Sequence, residues 1–258
     1  MLNSYFPLLA WLSWMLRVPH RAGNCKEKYA KIGLFTCPMP YTNIKEYAYY
    51  QTDYLAEKIG MALGVDLSVS NYRCDVSSPT NHEKTHIQEL LRRNGVMGEF
   101  IVLAPFGNSV VSMDKRMIET IIGFLAQKQY FCVVIGGSSD LVSQILEETS
   151  YRQVVNLCGQ TSVTDVVALL QGGRLLVSMD SGPMHIGCAV GCETVAVFGS
   201  AVMSEWTPKE HCRAVGLRLP CSGPCELTPD KCKDHKCIRL FPENMLFDGI
   251  QEALSHTR

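Results

Sequence analysis

Residues 175–199 read LLVSMDSGPMHIGCAVGCETVAVFG, and no other stretch restricts the fold as much. An apolar run over 175–179 ends on Asp180, followed by Ser181, Gly182 and Pro183. A short helical stretch over 184–190 comes next, and a second apolar run over 194–198 closes on Gly199. Strand, turn, helix, strand in so few residues is the pattern of a parallel crossover, with the helix packed on the sheet. The turn places a carboxylate, a hydroxyl, a glycine and an imidazole (His185) beside a helix start, where backbone N–H groups point outward.

The alternation continues upstream. Strands are expected over 100–105, 130–135 and 154–157, and helices over 113–128, 141–148 and 162–171. The first of these helices carries Met117, Ile121, Ile122 and Leu125 at helical spacing. The last has Ser162 and Asp165 in capping-box register and Gly172-Gly173 as its stop. Strands rich in Val, Ile and Leu that alternate with helices predict a doubly wound parallel sheet covered on both faces. Ligands of such sheets bind beyond the carboxyl ends of the strands. Three polar loops fall there, over 106–112, 136–140 and 180–185.

Residues 1–95 are less regular. Helical patterns occupy 6–16 and 46–63, a strand is expected over 31–37, and a helix over 82–94 has Thr80 as N-cap with Glu83 three residues on. No complete strand–helix–strand unit with a glycine-rich turn is present. The expected division is a partial N-terminal α/β domain over 1–96 and a Rossmann-like domain over 97–258. The tail begins near Trp206 and ends in a helix over 242–254.

Composition narrows the function classes. With 258 residues, 47% hydrophobic and 19% charged, the chain is long and apolar enough to bury a sizeable core. A formal net charge of -1 gives no argument for a nucleic-acid partner. Of 12 cysteines, Cys132, Cys158 and Cys188 sit in apolar runs and read as small buried hydrophobes, which fits a reducing cytoplasm. Apolar residues 8–16 are too few to span a bilayer, and Arg17 and Arg21 lie on the wrong flank for a signal peptide. An amphipathic helix docked on a domain fits them. Trp11, Trp14, Arg17 and Arg21 also suit peripheral contact with a membrane surface.

The chemistry concentrates at Asp180-Ser181-Gly182-Pro183-Met184-His185. Proline suits a first helical position, glycine admits a ligand close to the backbone, and a helix N-terminus favours a phosphate. Asp180 would accept from ribose or sugar hydroxyls beside the anion, and His185 would donate to a phosphate oxygen. The same residues also read as a plain capped helix, with Asp180 as the cap and His185 satisfied in the core. Gly107, Asn108 and Ser109 form a second candidate for a diphosphate, or an ordinary turn. Gly136-Gly137-Ser138-Ser139-Asp140 is a third, for a nucleoside, or a tight turn. Cys221, Cys225, Cys232 and Cys237 could hold zinc, but they lack the paired spacing of ribbons and fingers; disulfides or packing thiols remain open.

The run from Val154 to Gly199 closely resembles glycosyltransferase family nine, the ADP-heptose:lipopolysaccharide heptosyltransferases. It carries an NL-x-G-x-T-S turn at Asn156, the Asp-Ser-Gly-Pro-x-His turn at 180 and the Phe-Gly ending at 198–199. Trp206-Thr207-Pro208 is similar to the family's W-x-P exit. The resemblance implies a GT-B fold, with the donor bound mainly by the second domain and the acceptor on the side of the first. It implies inverting transfer of a heptose from an ADP-sugar donor to a lipopolysaccharide (lipid A–core) acceptor, at the cytoplasmic face of the inner membrane. No metal and no cofactor is implied for the chemistry. Asp180, Ser181, Gly182 and His185 match the donor-binding turn; Gly107, Asn108 and Ser109 match the phosphate-side loop.

Two departures accompany the match. Family members carry a Lys and a Trp-Pro just after the phosphate loop, where this chain has Val110-Val111-Ser112-Met113-Asp114. Lys115 and Arg116 come later, on the expected helix. The family's catalytic-base Asp lies in opening strand–helix units that residues 1–95 do not match. Only the 9–23 stretch resembles that domain. No catalytic residue is therefore assigned, and a truncated gene product or fragment is expected. The alternative function is a catalytically inactive or incomplete nucleotide-sugar-binding module that needs a missing N-terminal half.

Overall fold

The computed structural model describes residues 7–25, 31–40, 56, 59–61, 64–67, 76–107, 111–137, 140–148, 151–201, 203–221, 232 and 234–256. The chain forms two compact units, Met1–Tyr72 and Arg73–Arg258.

In the first unit, helix α1 spans Pro7–Met15, and two short strands, β1 (Ala22–Cys25) and β2 (Cys37–Pro40), pair in parallel. The strand expected over 31–37 is a turn over most of its length. Gly33 adopts φ +70°, and the Arg21 guanidinium takes the carbonyls of Leu34 at 2.8 Å and Gly33 at 3.5 Å. Carbonyls directed at an arginine cannot serve a ladder, so pairing starts only at Cys37, opposite Ala22. The helix expected over 46–63 lies largely outside the described residues.

The second unit opens with α2 (Asn81–Arg93). The Glu83 carboxylate accepts from the Thr80 N–H at 2.8 Å and from its hydroxyl, as the capping register predicts. Then come β3 (Phe100–Ala104), α3 (Lys115–Gln127), β4 (Phe131–Val134), α4 (Asp140–Glu148), β5 (Val154–Asn156) and α5 (Val163–Gly172). The chain continues through β6 (Leu175–Met179), α6 (Gly182–Ala189), β7 (Thr194–Phe198), α7 (Met203–Trp206) and β8 (Cys212–Gly216). It ends with α8 (Lys236–Arg239) and α9 (Glu243–His256).

Strands β3 to β8 form one wholly parallel sheet in the order β5-β4-β3-β6-β7-β8. Every residue of β3, β6 and β7 is buried, because helices cover both faces. Ile101, Leu103, Leu175 and Val177 pack with residues of α3, α4 and α9. Phe100, Val102, Ala104 and Leu176 pack on the other side with Val166, Leu169 and Leu170 of α5 and Ile87 of α2. Period-two burial toward two helical layers explains why these strands read as unbroken apolar runs. Strand β8 was not expected from sequence. It is an edge strand with only Val215 buried, so its segment CRAVG lacks that signature.

Candidate functional site

Strand order reverses between β3 and β6. β3 sends the chain outward to β4 and β5, and β6 sends it the other way to β7 and β8. These two strands are direct neighbours, with Ala104 paired to Ser178 near their carboxyl ends. The chain leaves them for helices on opposite faces, and at such a switch point open α/β sheets take their ligands. Gly107 leaves β3 and Asp180–His185 leaves β6, so the structure brings both candidate loops to one end of the sheet. Asn108 and Ser109 lie outside the described residues.

The β6 turn is anchored from below. The Asp180 N–H donates to the Val197 carbonyl at 3.1 Å, which extends the β6–β7 ladder by one residue. The Ser178 hydroxyl, fully buried, donates to the Met179 carbonyl at 2.7 Å. The Ser181 hydroxyl turns back to the same carbonyl at 3.1 Å. Ser181 is the N-cap of α6, yet its side chain makes no cap hydrogen bond, and Pro183 sits in the first turn. The leading N–H groups of α6 are therefore left without a side-chain cap. Gly182 is exposed, and a β-carbon there would meet nothing within 4 Å. Ser178 was passed over in the sequence; a serine interrupting an apolar strand just before the turn is the signal that marks it.

Neither the Asp180 carboxylate nor the His185 imidazole hydrogen-bonds any described residue. Burial pushes Asp180 up to about 6 and pushes His185 below its usual range. Near neutral pH the site thus holds a carboxylate and a neutral imidazole, each half-buried and without a hydrogen-bond partner among the described residues.

The two ends of the loop after β3 are tied together, with the Met113 N–H donating to the Pro105 carbonyl at 3.0 Å and the Gly107 N–H to the Ser112 hydroxyl at 3.3 Å. Its Val111 and Met113 are core residues. Lys115 pairs with Glu148 and, at 3.9 Å, with Glu119. Arg116 pairs with Glu243 at 3.2 Å and reaches the Ile238 and Arg239 carbonyls at 3.4 Å. Both late-arriving cations are engaged in holding α3 to its neighbours. Gly136 of the third loop has a packing reason, since a β-carbon there would lie 2.6 Å from the Phe106 ring; Ser138 and Ser139 lie outside the described residues. The tail cysteines are only partly described, Cys225 being outside, and the described residues contain no group of metal ligands.

A wholly parallel sheet in this strand order, with an uncapped helix start at the reversal, defines a doubly wound α/β domain of the Rossmann-like kind. The chain matches the sequence model of glycosyltransferase family 9 (heptosyltransferase) over residues 9–233, and it belongs to that family. It is similar to lipooligosaccharide heptosyltransferase 2 of Campylobacter jejuni, 33% identical over 108 residues that cover 41% of this chain and 33% of the relative. It is also similar to lipopolysaccharide heptosyltransferase 3 of Escherichia coli, 28% identical over 119 residues, 44% of this chain and 35% of the relative. These matches span about a third of the curated relatives' length. Among solved structures, a family 9 glycosyl transferase from Veillonella parvula superposes with a TM-score of 0.72 at 15% identity, over 96% of this chain and 71% of that one. The E. coli ADP-heptose LPS heptosyltransferase II gives 0.64 at 18% identity, over 95% and 73%. The fold is of the GT-B type, as the motifs imply.

Proposed function

We propose that the chain is a glycosyltransferase that moves a heptose or related sugar from an ADP-sugar to the inner core of lipopolysaccharide, with inversion at the anomeric carbon. The observation that carries this reading is the position of Asp180–His185: an uncapped helix start, a carboxylate and a neutral imidazole at the strand-order reversal, at the same end of the sheet as Gly107. Family membership and the similarity to lipooligosaccharide and lipopolysaccharide heptosyltransferases support the sugar and the acceptor class.

In this reading the diphosphate lies against the first turn of α6, where backbone N–H groups and the helix dipole favour an anion. His185, neutral near pH 7, donates to a phosphate oxygen. Asp180 stands beside the anion and accepts from hydroxyls of the sugar or ribose. Ser181, exposed Gly182 and the 107–109 loop line the approach, with Gly107, Asn108 and Ser109 on the phosphate side. The acceptor hydroxyl oxygen bonds to the anomeric carbon as the bond to the diphosphate breaks, ADP departs, and the acceptor proton passes to a base that is not assigned. Lys115 and Arg116 take no part, so leaving-group charge is met by N–H groups and the imidazole. The reaction belongs at the cytoplasmic face of the inner membrane. Among the described residues no helix is long and apolar enough to cross a membrane, while exposed Trp11, Trp14, Met15 and Leu16 on and just after α1 support peripheral contact.

Isothermal titration of the folded chain with ADP tests the donor site. Binding is expected, and Asp180→Ala should weaken ADP-sugar binding by about tenfold, the effect of losing a hydrogen bond to a charged group. Absence of binding by any nucleoside diphosphate or its sugar overturns the reading. Transfer to truncated lipopolysaccharide by the purified chain then separates an enzyme from an incomplete nucleotide-sugar-binding module.

A further inference from the structure

A second chemical cluster lies at the far end of α6. Cys188 is on the last turn of that helix, and Cys212 opens β8, where it pairs with Thr194 across the β7–β8 register. The His211 carbonyl accepts from the Thr194 N–H at 2.9 Å and from the Cys188 thiol at 3.6 Å. Cys188 Sγ therefore lies against the peptide that leads into Cys212, and the Cys212 side chain packs on the face of the sheet that carries α6, in the cluster of its Met184. Both are free and half-buried. The two thiols are driven apart in acidity: the neighbouring Cys212 thiol pulls Cys188 below the usual thiol range, and Cys188 pushes Cys212 up. Cys192, close by, is pushed up to about 12 by burial and stays inert.

We propose that Cys188 and Cys212 form a thiol–disulfide exchange site that takes a low-molecular-weight disulfide as oxidant and closes into an intramolecular disulfide joining α6 to β8. The Cys188 thiolate attacks one sulfur of the small disulfide, forming a mixed disulfide and releasing one small thiolate. Cys212 loses its proton to solvent and attacks the Cys188 sulfur, which forms the internal disulfide and releases the second small thiolate. The protein loses two electrons, and the small disulfide gains them as two thiols.

Closure acts on the turn that carries Asp180 and His185, a consequence that rests on the donor-site reading. A disulfide needs its sulfurs at about 2 Å, well inside hydrogen-bond contact. Helix α6 has no slack on the sheet side: a β-carbon at Gly187 would lie 2.7 Å from Leu176 Cδ2 and 2.8 Å from Thr194 Oγ1. Drawing its last turn toward β8 therefore displaces the whole short helix, its N-terminus included.

The test is peptide mapping of the full chain after incubation with oxidised glutathione, without reductant. The expected product links the Cys188 and Cys212 peptides, is lighter than their sum by two hydrogens and is reversed by dithiothreitol. Cys212→Ser should instead hold the mixed disulfide on Cys188. Glutathione retained on Cys188 in the unaltered protein overturns the proposal, as does reaction at exposed Cys221 with neither Cys188 nor Cys212 oxidised. Oxidised protein should bind ADP about threefold or more weakly than reduced protein, as expected when a positioned site is displaced. Equal affinities overturn the regulatory consequence. If reduced protein binds no ADP, the donor-site reading fails while the peptide map still decides the disulfide.

Discussion

Gly199 lies against Val111 so closely that a β-carbon on the glycine would stand 2.6 Å from Val111 Cγ1. The pair ties the residue after β7 to the loop after β3, across the end of the sheet where the candidate site lies. Gly199→Ala should destabilise the chain by about 1–3 kcal/mol, the range for overpacking a filled core. Adding Val111→Ala should recover part of that loss. Urea denaturation of the two single variants and the double checks it; additive losses would show that the two residues are not in contact.

Asp180 links the site to stability. Its carboxyl is raised from 3.8 to about 6 by burial. Between those values the native state binds more protons than the unfolded state, so stability falls as pH rises through the window and stays lower above it. Asp180→Asn removes this penalty. Its Tm should match the unaltered chain near pH 4 and exceed it at pH 7.5, while affinity for an ADP-sugar falls at the higher pH. Affinity of the unaltered protein should likewise drop as pH falls below about 6, where the carboxyl becomes protonated.

His185 offers a test of donor character rather than charge. Burial lowers its basicity, so the imidazole is neutral at pH 7. Its contribution to ADP-sugar binding should therefore be flat between pH 7 and pH 8. His185→Ala should weaken binding by about tenfold, and His185→Gln, which keeps an N–H donor, should weaken it less. A steep loss of affinity over that interval would mean that the cationic form binds.

How legible the chain was depends on burial. Leu175–Met179 and Thr194–Phe198 were read to the residue because each is flanked by helices on both faces, and full burial leaves an unbroken apolar run. Strand β8 was missed because Arg213 and its neighbours face partly outward on the edge. Residues 31–36 misled in the opposite sense: Leu34 and Phe35 are buried, but through a turn held by Arg21. At the site, sequence identified the turn but not its anchoring; that the Ser181 hydroxyl folds back on Met179 rather than capping α6 is a tertiary fact. Helix α2 shows the same limit. Its cap was readable, yet nothing local announces that it packs on α5 within the second unit, where the His86 imidazole meets the Asp165 carboxylate at 3.0 Å.

Lys115 and Arg116 are the cations nearest in sequence to the loop proposed for the phosphate side, and both are engaged elsewhere, with Glu148 and Glu119 and with Glu243. Replacing either by alanine should leave ADP affinity within about twofold, the scale expected of exposed ion pairs outside a site. A loss of tenfold or more for either variant would show that it leaves its acidic partner to meet the diphosphate.

Ser162 tests whether the capping box supports the fold as its geometry implies. Its hydroxyl accepts from the Asp165 N–H at 3.1 Å, and the Asp165 carboxylate accepts from the Ser162 N–H at 2.9 Å. Two donors at the start of α5 are satisfied this way, and Asp165 also holds His86 of α2. Ser162→Ala removes both bonds of the hydroxyl, which also donates to the Asp165 carboxylate at 2.7 Å, and leaves the bond from the Ser162 N–H. It should cost about 1 kcal/mol, the usual loss of an N-cap side chain, with the denaturant slope unchanged because the core is untouched. Asp165→Ala should cost more, since it removes the reciprocal bond and the contact with α2 together. Measuring both in the His86→Ala background separates the two contributions. If the excess cost of Asp165→Ala disappears there, α2 is held to α5 through that imidazole; if it persists, the carboxylate acts mainly on its own helix.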